Sequence, residues 1–461
     1  MVNKQLWDAY PATYRASEIQ TLANWIALGE SCSVVGLVGC GRSNLLGFLC
    51  NRPDVLATYL RSEIGQVTII PVELYDLPAN DLSSLYRTIL HAFYWERTSF
   101  AADLAQQVID LYLENRALQD PFLVQKAVDE LLALFQQRRM RIVLVLNRFD
   151  RFCENASSSM INTLRSLRDR FKDILSYIVG MQQEAVYLPD PGQLGDMYWL
   201  LDSHICWVGA MSATDAQHML ARSVRTASTP PTEGEFAALL ALSGGFPSLL
   251  NAVGQWWLEH SELDLPMSNW CTALLAEDNI QYRLARIWGG LTQEEKLLLS
   301  EMQKGKFSQA SPKLTEQRPL LARMAAKGVC RGHGNAWQIN GDLLSAYVAG
   351  IEGRVLGKIW LDEATRTIYQ GQTVLDELSG LQYAILRFLI KNPRVRHTRD
   401  DIIDNAWPDE ENREGITPNA LQVHIAAIRK KIEPNPGTPH YLITWHGRPG
   451  GYQFYPEGKP D

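Results

Sequence analysis

Apolar residues recur at helical spacing in three segments toward the C-terminal end of the chain. These segments run from Ser379 to Ile390, from Arg399 to Trp407 and from Thr417 to Ile432. Pro393 follows the first segment, where a helix-terminating residue is expected. From Tyr441 to Phe454 the chain reads as two strands around a glycine-rich tip. The pattern therefore predicts three helices followed by a hairpin.

The third helix divides into an apolar stripe and a polar face. Leu421, Ile425, Ile428 and Ile432 repeat at helical spacing and predict a buried side. Thr417 is expected to cap the helix, with Pro418 at its first position. The polar residues at the helix start and on the other side are Thr417, Asn419, Gln422, His424, Arg429, Lys430 and Lys431.

The chemistry of these residues suits double-stranded DNA. Asn and Gln pair with adenine through two hydrogen bonds, and Arg pairs with guanine or phosphate. The run Arg429–Lys431 places positive charge where phosphates would lie. The glycines of the hairpin tip permit a tight turn, which would present His446 and Arg448 to the backbone or the minor groove.

In order and spacing, these segments resemble the OmpR/PhoB-type winged-helix effector domain. The family pattern V-H-I-x-x-L-R-K appears as Val423–Lys430, and T-x-x-G-x-G-Y-x-F appears in a longer form as Thr444–Phe454. Ala426 and Ala427 replace the arginine that many members carry, and His446 also stands where arginine is usual. We therefore expect DNA affinity below that of the family, or dependent on multivalency. A winged helix that contacts only protein is the alternative.

A second informative pattern lies near the start of the chain. A β-branched run from Ser33 leads into a glycine-rich segment and then an apolar helix that reaches Leu49. The segment has Walker A spacing, with Arg in place of the usual Lys. Its backbone N–H groups would surround phosphate oxygens at a helix N-terminus. The candidate nucleotide-binding residues are Gly36, Gly39, Gly41, Arg42, Ser43 and Asn44.

The substitution at the Walker A position changes the chemistry. Arg42 keeps a positive charge, but a broad planar guanidinium is no substitute for a compact ammonium in a tight loop. Ser43 keeps the hydroxyl that would bind Mg²⁺. Further strands are predicted at Val67–Leu74, Arg141–Asp150 and Ile174–Gly180, so strands and helices alternate as in an α/β domain.

These features resemble the STAND and Cdc6/ORC-like branches of the AAA+ ATPases. The Walker B strand of that group ends D-E-F-D, and here it ends Asn147-Arg148-Phe149-Asp150. Asn147 stands in for the Mg²⁺-organising Asp, and Arg148 for the water-activating Glu, so two carboxylates are lost. The resemblance implies a degenerate site that takes ATP or ADP, with Mg²⁺ binding doubtful and little or no hydrolysis.

Two other segments extend the resemblance over residues 10–345. Tyr14–Leu22 resembles the G-R-E-x-E-L box that precedes the P-loop. Leu242–Leu250 resembles the G-G-x-P segment of the lid, whose Pro247 is implied to pack near adenine. A plain turn between helices is the alternative for that segment. Thr292 and Glu295 predict a capping box at the start of a middle winged helix.

The predicted architecture is multidomain, α/β plus α+β. A P-loop parallel-sheet domain is expected over residues 1–195 and a helical lid over residues 196–285. A middle winged helix is expected over residues 286–350. The C-terminal winged helix is expected over residues 354–457, beginning with a small antiparallel sheet from Lys358 to Leu375.

Composition and charge limit where this protein can act and what it can bind. The chain has 461 residues and a net charge of −7, so any affinity for DNA must be local to one surface. Its seven cysteines form no CxxC pair, which is typical of reduced thiols. We find no signal peptide and no apolar run of membrane-spanning length. The sequence therefore predicts a cytoplasmic protein that does not contact a membrane, with no metal site.

We interpret the chain as a DNA-binding transcription regulator in which a degenerate STAND-type nucleotide-binding module controls the C-terminal winged helix. Its expected partners are double-stranded DNA and an adenine nucleotide, together with a second copy on direct repeats or a signalling protein. One alternative is an active ATPase that remodels a nucleoprotein complex. The other is a non-catalytic scaffold whose winged helix binds protein.

Overall fold

The computed structural model describes residues 7–60, 66–75, 77–188, 190–227, 229–261, 265–303, 317–333, 336–353, 358–363, 365–371, 373–375, 378–406, 418–433, 439–445 and 450–459. The chain divides into two units, residues 1–345 and 346–461.

A five-stranded parallel sheet forms the centre of the first unit, in the order β2-β3-β4-β1-β5. Its strands are β1 (Cys32–Val35), β2 (Val67–Val72), β3 (Arg141–Leu146), β4 (Leu175–Met181) and β5 (Ile205–Trp207). The residues of β1 and β4 are buried throughout, as expected for parallel strands covered on both faces. The predicted α/β class and its four strands are confirmed.

Helices surround this sheet and continue beyond it. They are α1 (Ala16–Leu28), α2 (Arg42–Asn51), α3 (Pro53–Tyr59), α4 (Leu82–Trp95), α5 (Ala102–Asn115), α6 (Pro121–Gln137), α7 (Phe149–Cys153), α8 (Ser158–Arg170), α9 (Met197–Ser203), α10 (Ala213–Ser223), α11 (Glu233–Ser243), α12 (Pro247–His260), α13 (Trp270–Ala276) and α14 (Asp278–Gly289). Aspartate caps α4 and α6, and serine caps α8 and α10, each by accepting backbone N–H bonds.

Strand β5 extends the sheet beyond the predicted domain boundary. Ser33 in β1 pairs with Ile205, and Val35 pairs with Trp207. The sheet therefore continues past residue 195, the predicted end of the first domain. The loop that follows β5 packs closely against the segment around Ala326. A Cβ on Gly209 would lie only 2.3 Å from the Ala326 carbonyl oxygen.

The middle segment contains α15 (Gln293–Gln303), α16 (Arg318–Ala326), β6 (Cys330–His333), β7 (Ala336–Ile339) and α17 (Asp342–Gly353). The Thr292 and Glu295 capping box forms through reciprocal bonds of 2.9 and 3.3 Å, as predicted. Glu295 also forms an ion pair with Lys327 Nζ at 2.8 Å. The same Nζ lies 3.8 Å from the carboxylate of Glu184, which follows β4. All three side chains are buried, so this charge cluster joins the middle segment to the sheet.

The second unit has the winged-helix order predicted from its sequence. The first sheet holds β8 (Ile359–Asp362), β9 (Thr367–Gln370) and β10 (Thr373–Val374), all antiparallel. The helices are α18 (Gly380–Lys391), α19 (Arg399–Ala406) and α20 (Pro418–Ile432). The second sheet holds β11 (Arg396–Thr398), β12 (Leu442–Trp445) and β13 (Gly451–Phe454), with β13 central. The predicted hairpin is confirmed, and β11 adds a third strand to it.

Candidate functional site

The loop between β1 and α2 has the backbone of a phosphate-binding turn. Gly39 and Gly41 have φ angles of +87° and +86°, a region that residues with a Cβ rarely adopt. Ser248 at the start of α12 donates its backbone N–H to the Gly39 carbonyl at 3.0 Å. The lid segment therefore lies directly against the loop, and Pro247 sits beside Gly41.

This loop lines a cavity of about 380 Å³. The nucleotide-binding candidates that line it are Gly36, Gly39, Gly41, Arg42, Ser43, Asn44 and Pro247. Asn147 and Asp150 do not line the cavity, but each bonds to a residue that does. Asn147 Nδ2 donates to Ser43 Oγ at 3.4 Å, and Asp150 Oδ2 accepts from the Gln182 N–H at 3.4 Å.

Arg42 has buried polar atoms that lack a hydrogen-bond partner among the described residues. It is buried, and its Nε and Nη1 have no hydrogen-bond partner in the described part of the chain. Burial lowers the pKa of this guanidinium, while the nearby Asp150 carboxylate acts in the opposite direction. Asp150 Oδ1 is itself buried without a described partner. Buried guanidinium donors are costly to leave unpaired.

Two residues at the predicted Walker B end, Asn147 and Arg148, have no carboxylate. The Asn147 amide oxygen accepts the Arg148 backbone N–H at 3.0 Å. Arg148 adopts a left-handed backbone with φ +56°, and its guanidinium lies 5.7 Å from the centre of the Tyr75 ring. Neither an amide nor a guanidinium accepts a proton from water at neutral pH. These two positions therefore supply no general base.

Arg15 is a residue whose importance the sequence did not reveal. Its side chain is 1% exposed, and its Nη2 donates to the carbonyls of Cys40 at 2.8 Å and Gly209 at 2.9 Å. Nη1 forms an ion pair of 2.7 Å with Glu18. Arg15 thus ties the start of α1 to the glycine-rich loop and to the segment after β5. Its only sequence signal was its place in the box before the loop.

Helix α20 packs its apolar face against the core, and its opposite face is exposed to solvent. Leu421, Ile425, Ile428 and Ile432 are all at most 1% exposed, which confirms the predicted stripe. The exposed residues on the opposite side are Gln422, Val423, Ala426 and Lys430.

The other predicted DNA-contacting residues differ in exposure, and some lie outside the described residues. His424 and Lys431 are half-buried. Asn419 lies in the first turn of α20, but its side chain is not among the described parts of the chain. Thr417, His446 and Arg448 lie outside the described residues, so their roles stay predictions.

Arg429 bonds to strand β12 of the wing, a role that its sequence context did not indicate. Its Nε and Nη2 donate to the Leu442 carbonyl at 2.9 and 2.6 Å, and Nη2 also donates to Thr444 Oγ1 at 2.8 Å. Burial lowers the pKa of the Arg429 guanidinium. These bonds hold the recognition helix against the wing. The DNA contact predicted for Arg429 stays a prediction.

Glu433, which no sequence pattern indicated, also positions the wing against α20. Its buried carboxylate follows α20 and accepts backbone N–H groups of His440 at 2.6 Å and of Leu442 at 2.7 Å. It also accepts the Tyr441 N–H at 3.0 Å. One side chain thus satisfies three consecutive donors at the start of the wing.

The fold and site define two kinds of domain. The parallel sheet and the glycine-rich loop between β1 and α2 give the first unit a fold that resembles the P-loop NTPase fold. The three helices and the hairpin make the second unit a winged helix, which reads a DNA groove through its third helix.

Comparisons with known proteins support the winged-helix description of the second unit. Residues 375–454 match the family model described as "Transcriptional regulatory protein, C terminal". Transcriptional regulatory protein YvrH of Bacillus subtilis is 34% identical over 94 residues, 20% of this chain and 37% of that protein. Response regulator MprA of Mycobacterium avium is 34% identical over 87 residues, 19% of this chain and 36% of that protein. The chain thus spans little more than a third of these relatives. The second unit is an OmpR/PhoB-type DNA-binding domain.

Solved structures also resemble larger parts of the chain. A Walker-type ATPase of Pyrococcus abyssi has a TM-score of 0.43 and 15% identity, covering 75% of this chain and 99% of that one. The ORC2 protein of Aeropyrum pernix has a TM-score of 0.40 and 12% identity, covering 73% and 92%. Among the described residues, no helix combines the length and apolar character that crossing a membrane requires.

Proposed function

We propose that this protein is a DNA-binding transcription regulator whose first unit binds an adenine nucleotide and hydrolyses it little or not at all. The observation that carries the proposal is the solvent-facing side of α20, on a domain of the OmpR/PhoB type. Gln422 and Lys430 are exposed there while the opposite stripe is fully buried. In this proposal, occupancy of the first unit controls the second.

The proposed contacts to DNA divide by chemistry. Gln422 is suited to an adenine edge, because its amide both donates and accepts. Lys430, toward the end of α20, supplies a charge for a phosphate oxygen. Arg429 fixes the angle between α20 and β12. Since the chain carries a net charge of −7, binding depends on this local surface.

The proposed nucleotide contacts rest on the cavity beside α2. The loop N–H groups and the helix N-terminus favour phosphate oxygens. Arg42 adds a buried cation with unpaired donors, and Pro247 closes one side of the cavity. The carboxylates that would organise Mg²⁺ and activate water are replaced by Asn147 and Arg148. These features favour retention of a nucleotide over turnover.

Substitution of Lys430 by glutamine tests the DNA interface. We expect weaker binding of a short mixed-sequence duplex, and a slope of log Kd against log salt that is lower by about 1, because one phosphate contact is lost. Fluorescence anisotropy of the labelled duplex with the full chain, over a salt series, measures both.

Arg387→Gln is the matched control, because it removes the same charge from an exposed position on α18. Its salt slope should equal that of the unmodified chain. An unchanged slope in Lys430→Gln contradicts the proposed contact. If the full chain binds no duplex at low salt, the scaffold alternative, in which the winged helix binds protein, replaces the present proposal.

A further inference from the structure

A second and larger cavity lies on the other side of α2. Its volume is about 710 Å³, within the range of roughly 300–1,000 Å³ that is typical of small-molecule sites. Glu73 and Asn147, which follow β2 and β3, line its edge, and α4 and α5 form further walls. Ligands of α/β sheets bind at such carboxyl ends of strands.

The walls of this cavity are largely apolar and aromatic. Trp7, Leu46, Pro71, Ala92, Trp95, Tyr112 and Val145 line it. Trp7 packs closely against Gly47, since a Cβ there would come within 2.4 Å of the indole ring. The Trp95 side chain is 49% exposed, although it faces a concave surface, and the ring centres of His91 and Trp95 are 5.9 Å apart. A flat apolar group would cover this exposed aromatic surface.

The charged groups in the walls favour an anion. Arg87 and Arg116 line the cavity, against one carboxylate, Glu73. Arg87 is held on α4 by bonds from Nε to the Ser83 carbonyl at 3.3 Å and from Nη2 to Ser84 Oγ at 3.2 Å. Within the described chain its Nη1 has no hydrogen bond, so an oriented donor remains for a ligand carboxylate.

One wall of this cavity is shared with the phosphate-binding loop. Ser43 lines both cavities, and its hydroxyl accepts the 3.4 Å bond from Asn147, which lines the larger one. A ligand that shifts Asn147 must therefore alter the surroundings of Ser43. The two cavities are in this way connected through Ser43 and its bond from Asn147.

We propose that the larger cavity binds a small aromatic carboxylic acid, and that this acid changes nucleotide affinity through Asn147 and Ser43. Binding of the acid stands on the cavity alone, whereas the coupling rests on the nucleotide site proposed above. By linkage, nucleotide must change affinity for the acid by the same factor. In this proposal the acid acts as an effector that binds and leaves unchanged.

Isothermal titration of the full chain with three matched probes tests this inference. Naphthoate is expected to bind at least about 10-fold more tightly than neutral naphthamide, because its carboxylate pairs with Arg87. Naphthylmethylamine should bind more weakly than either. Arg87→Gln should remove the preference for the acid, and Thr88→Phe should fill the cavity and abolish binding of both. Circular dichroism establishes that both variants are folded.

The outcomes are distinguishable. No binding of naphthoate, equal binding of acid and amide, or unchanged binding in both variants overturns the proposed site. If naphthoate binds as expected but no adenine nucleotide binds, the coupling and the nucleotide proposal fail, and the acid site stands. If both bind without affecting each other, only the coupling through Ser43 and Asn147 fails.

A different observation supports a second inference, about the recognition helix. Val423 is 66% exposed on α20, next to exposed Gln422 and one turn from exposed Ala426. An apolar side chain on a DNA-facing surface gains contact with the thymine methyl group, while glutamine pairs with adenine. We infer that this helix reads A·T pairs, with Val423 packing on a thymine methyl. This inference rests on the proposed DNA binding.

Uracil substitution isolates that methyl group. Duplexes that the full chain selects from a random pool are resynthesised with deoxyuridine in place of single thymidines. At the thymidine that Val423 contacts, loss of about one buried methyl group should weaken binding about fourfold. In Val423→Ser this penalty should vanish. Equal binding of both duplexes, or an equal penalty in Val423→Ser, contradicts the inference. Failure to select any duplex contradicts DNA binding itself.

Discussion

Replacing Arg42 with methionine is expected to stabilise the nucleotide-free protein while removing its affinity for ADP. The guanidinium is buried with two unpaired nitrogens, so its removal relieves a desolvation cost of about 1–3 kcal/mol. The same change deletes the cation proposed to meet the phosphates, and ADP affinity should fall at least about 100-fold. Scanning calorimetry with and without ADP measures both effects, which have opposite signs.

Arg151→Met provides a matched control for this experiment. Arg151 is partly exposed and pairs with Glu154 at 2.9 Å, so its loss should change stability by less than about 1 kcal/mol and leave ADP binding intact. A purely structural role for Arg42 predicts the reverse result. In that case Arg42→Met would be less stable without ADP and would still be stabilised by the nucleotide.

Glu433→Ala is expected to cause a large loss of stability in the second unit. Its buried carboxylate accepts the N–H groups of His440, Tyr441 and Leu442, and no other described group replaces it. Leaving these donors unpaired should cost about 3 kcal/mol or more. Hydrogen exchange in the full chain, followed at the Tyr441 and Leu442 amides, should show loss of protection.

Two further variants complete that test. Glu433→Gln keeps a carbonyl acceptor and should show an intermediate loss of protection. Glu457→Ala removes an exposed carboxylate that pairs with Lys358 and Arg394, so protection should change little. Equal protection in Glu433→Ala and the unmodified chain would contradict the role of Glu433 at the start of the wing.

Long elements and strong local patterns were predictable from the sequence. The buried stripe of α20 was found because its four apolar residues repeat at helical spacing over the whole helix. The glycine-rich loop was found because its backbone requires glycine at fixed positions. Strands β5 and β11 were missed because three residues are too few to show a strand period, and only pairing with longer strands stabilises them.

Contacts that depend on backbone placement were not predictable. Arg429 is part of a basic run, and nothing in the sequence indicates that the Leu442 carbonyl lies within its reach. The donors bound by Glu433 are main-chain groups, which carry no sequence signal. Arg15 joins segments about 200 residues apart, and the larger cavity is lined from several elements. Such sites arise from tertiary packing, which a linear pattern does not record.

The most direct test of the account is the nucleotide content and turnover of the purified full chain. Gentle denaturation followed by chromatography measures bound nucleotide, and titration with ATP and ADP measures affinity. We predict that nucleotide is released or titratable at about one per chain, with no Mg²⁺-dependent hydrolysis. An empty cavity that no nucleotide fills would contradict the proposal. Turnover that disappears in Ser43→Ala would equally contradict it, and would identify an active ATPase.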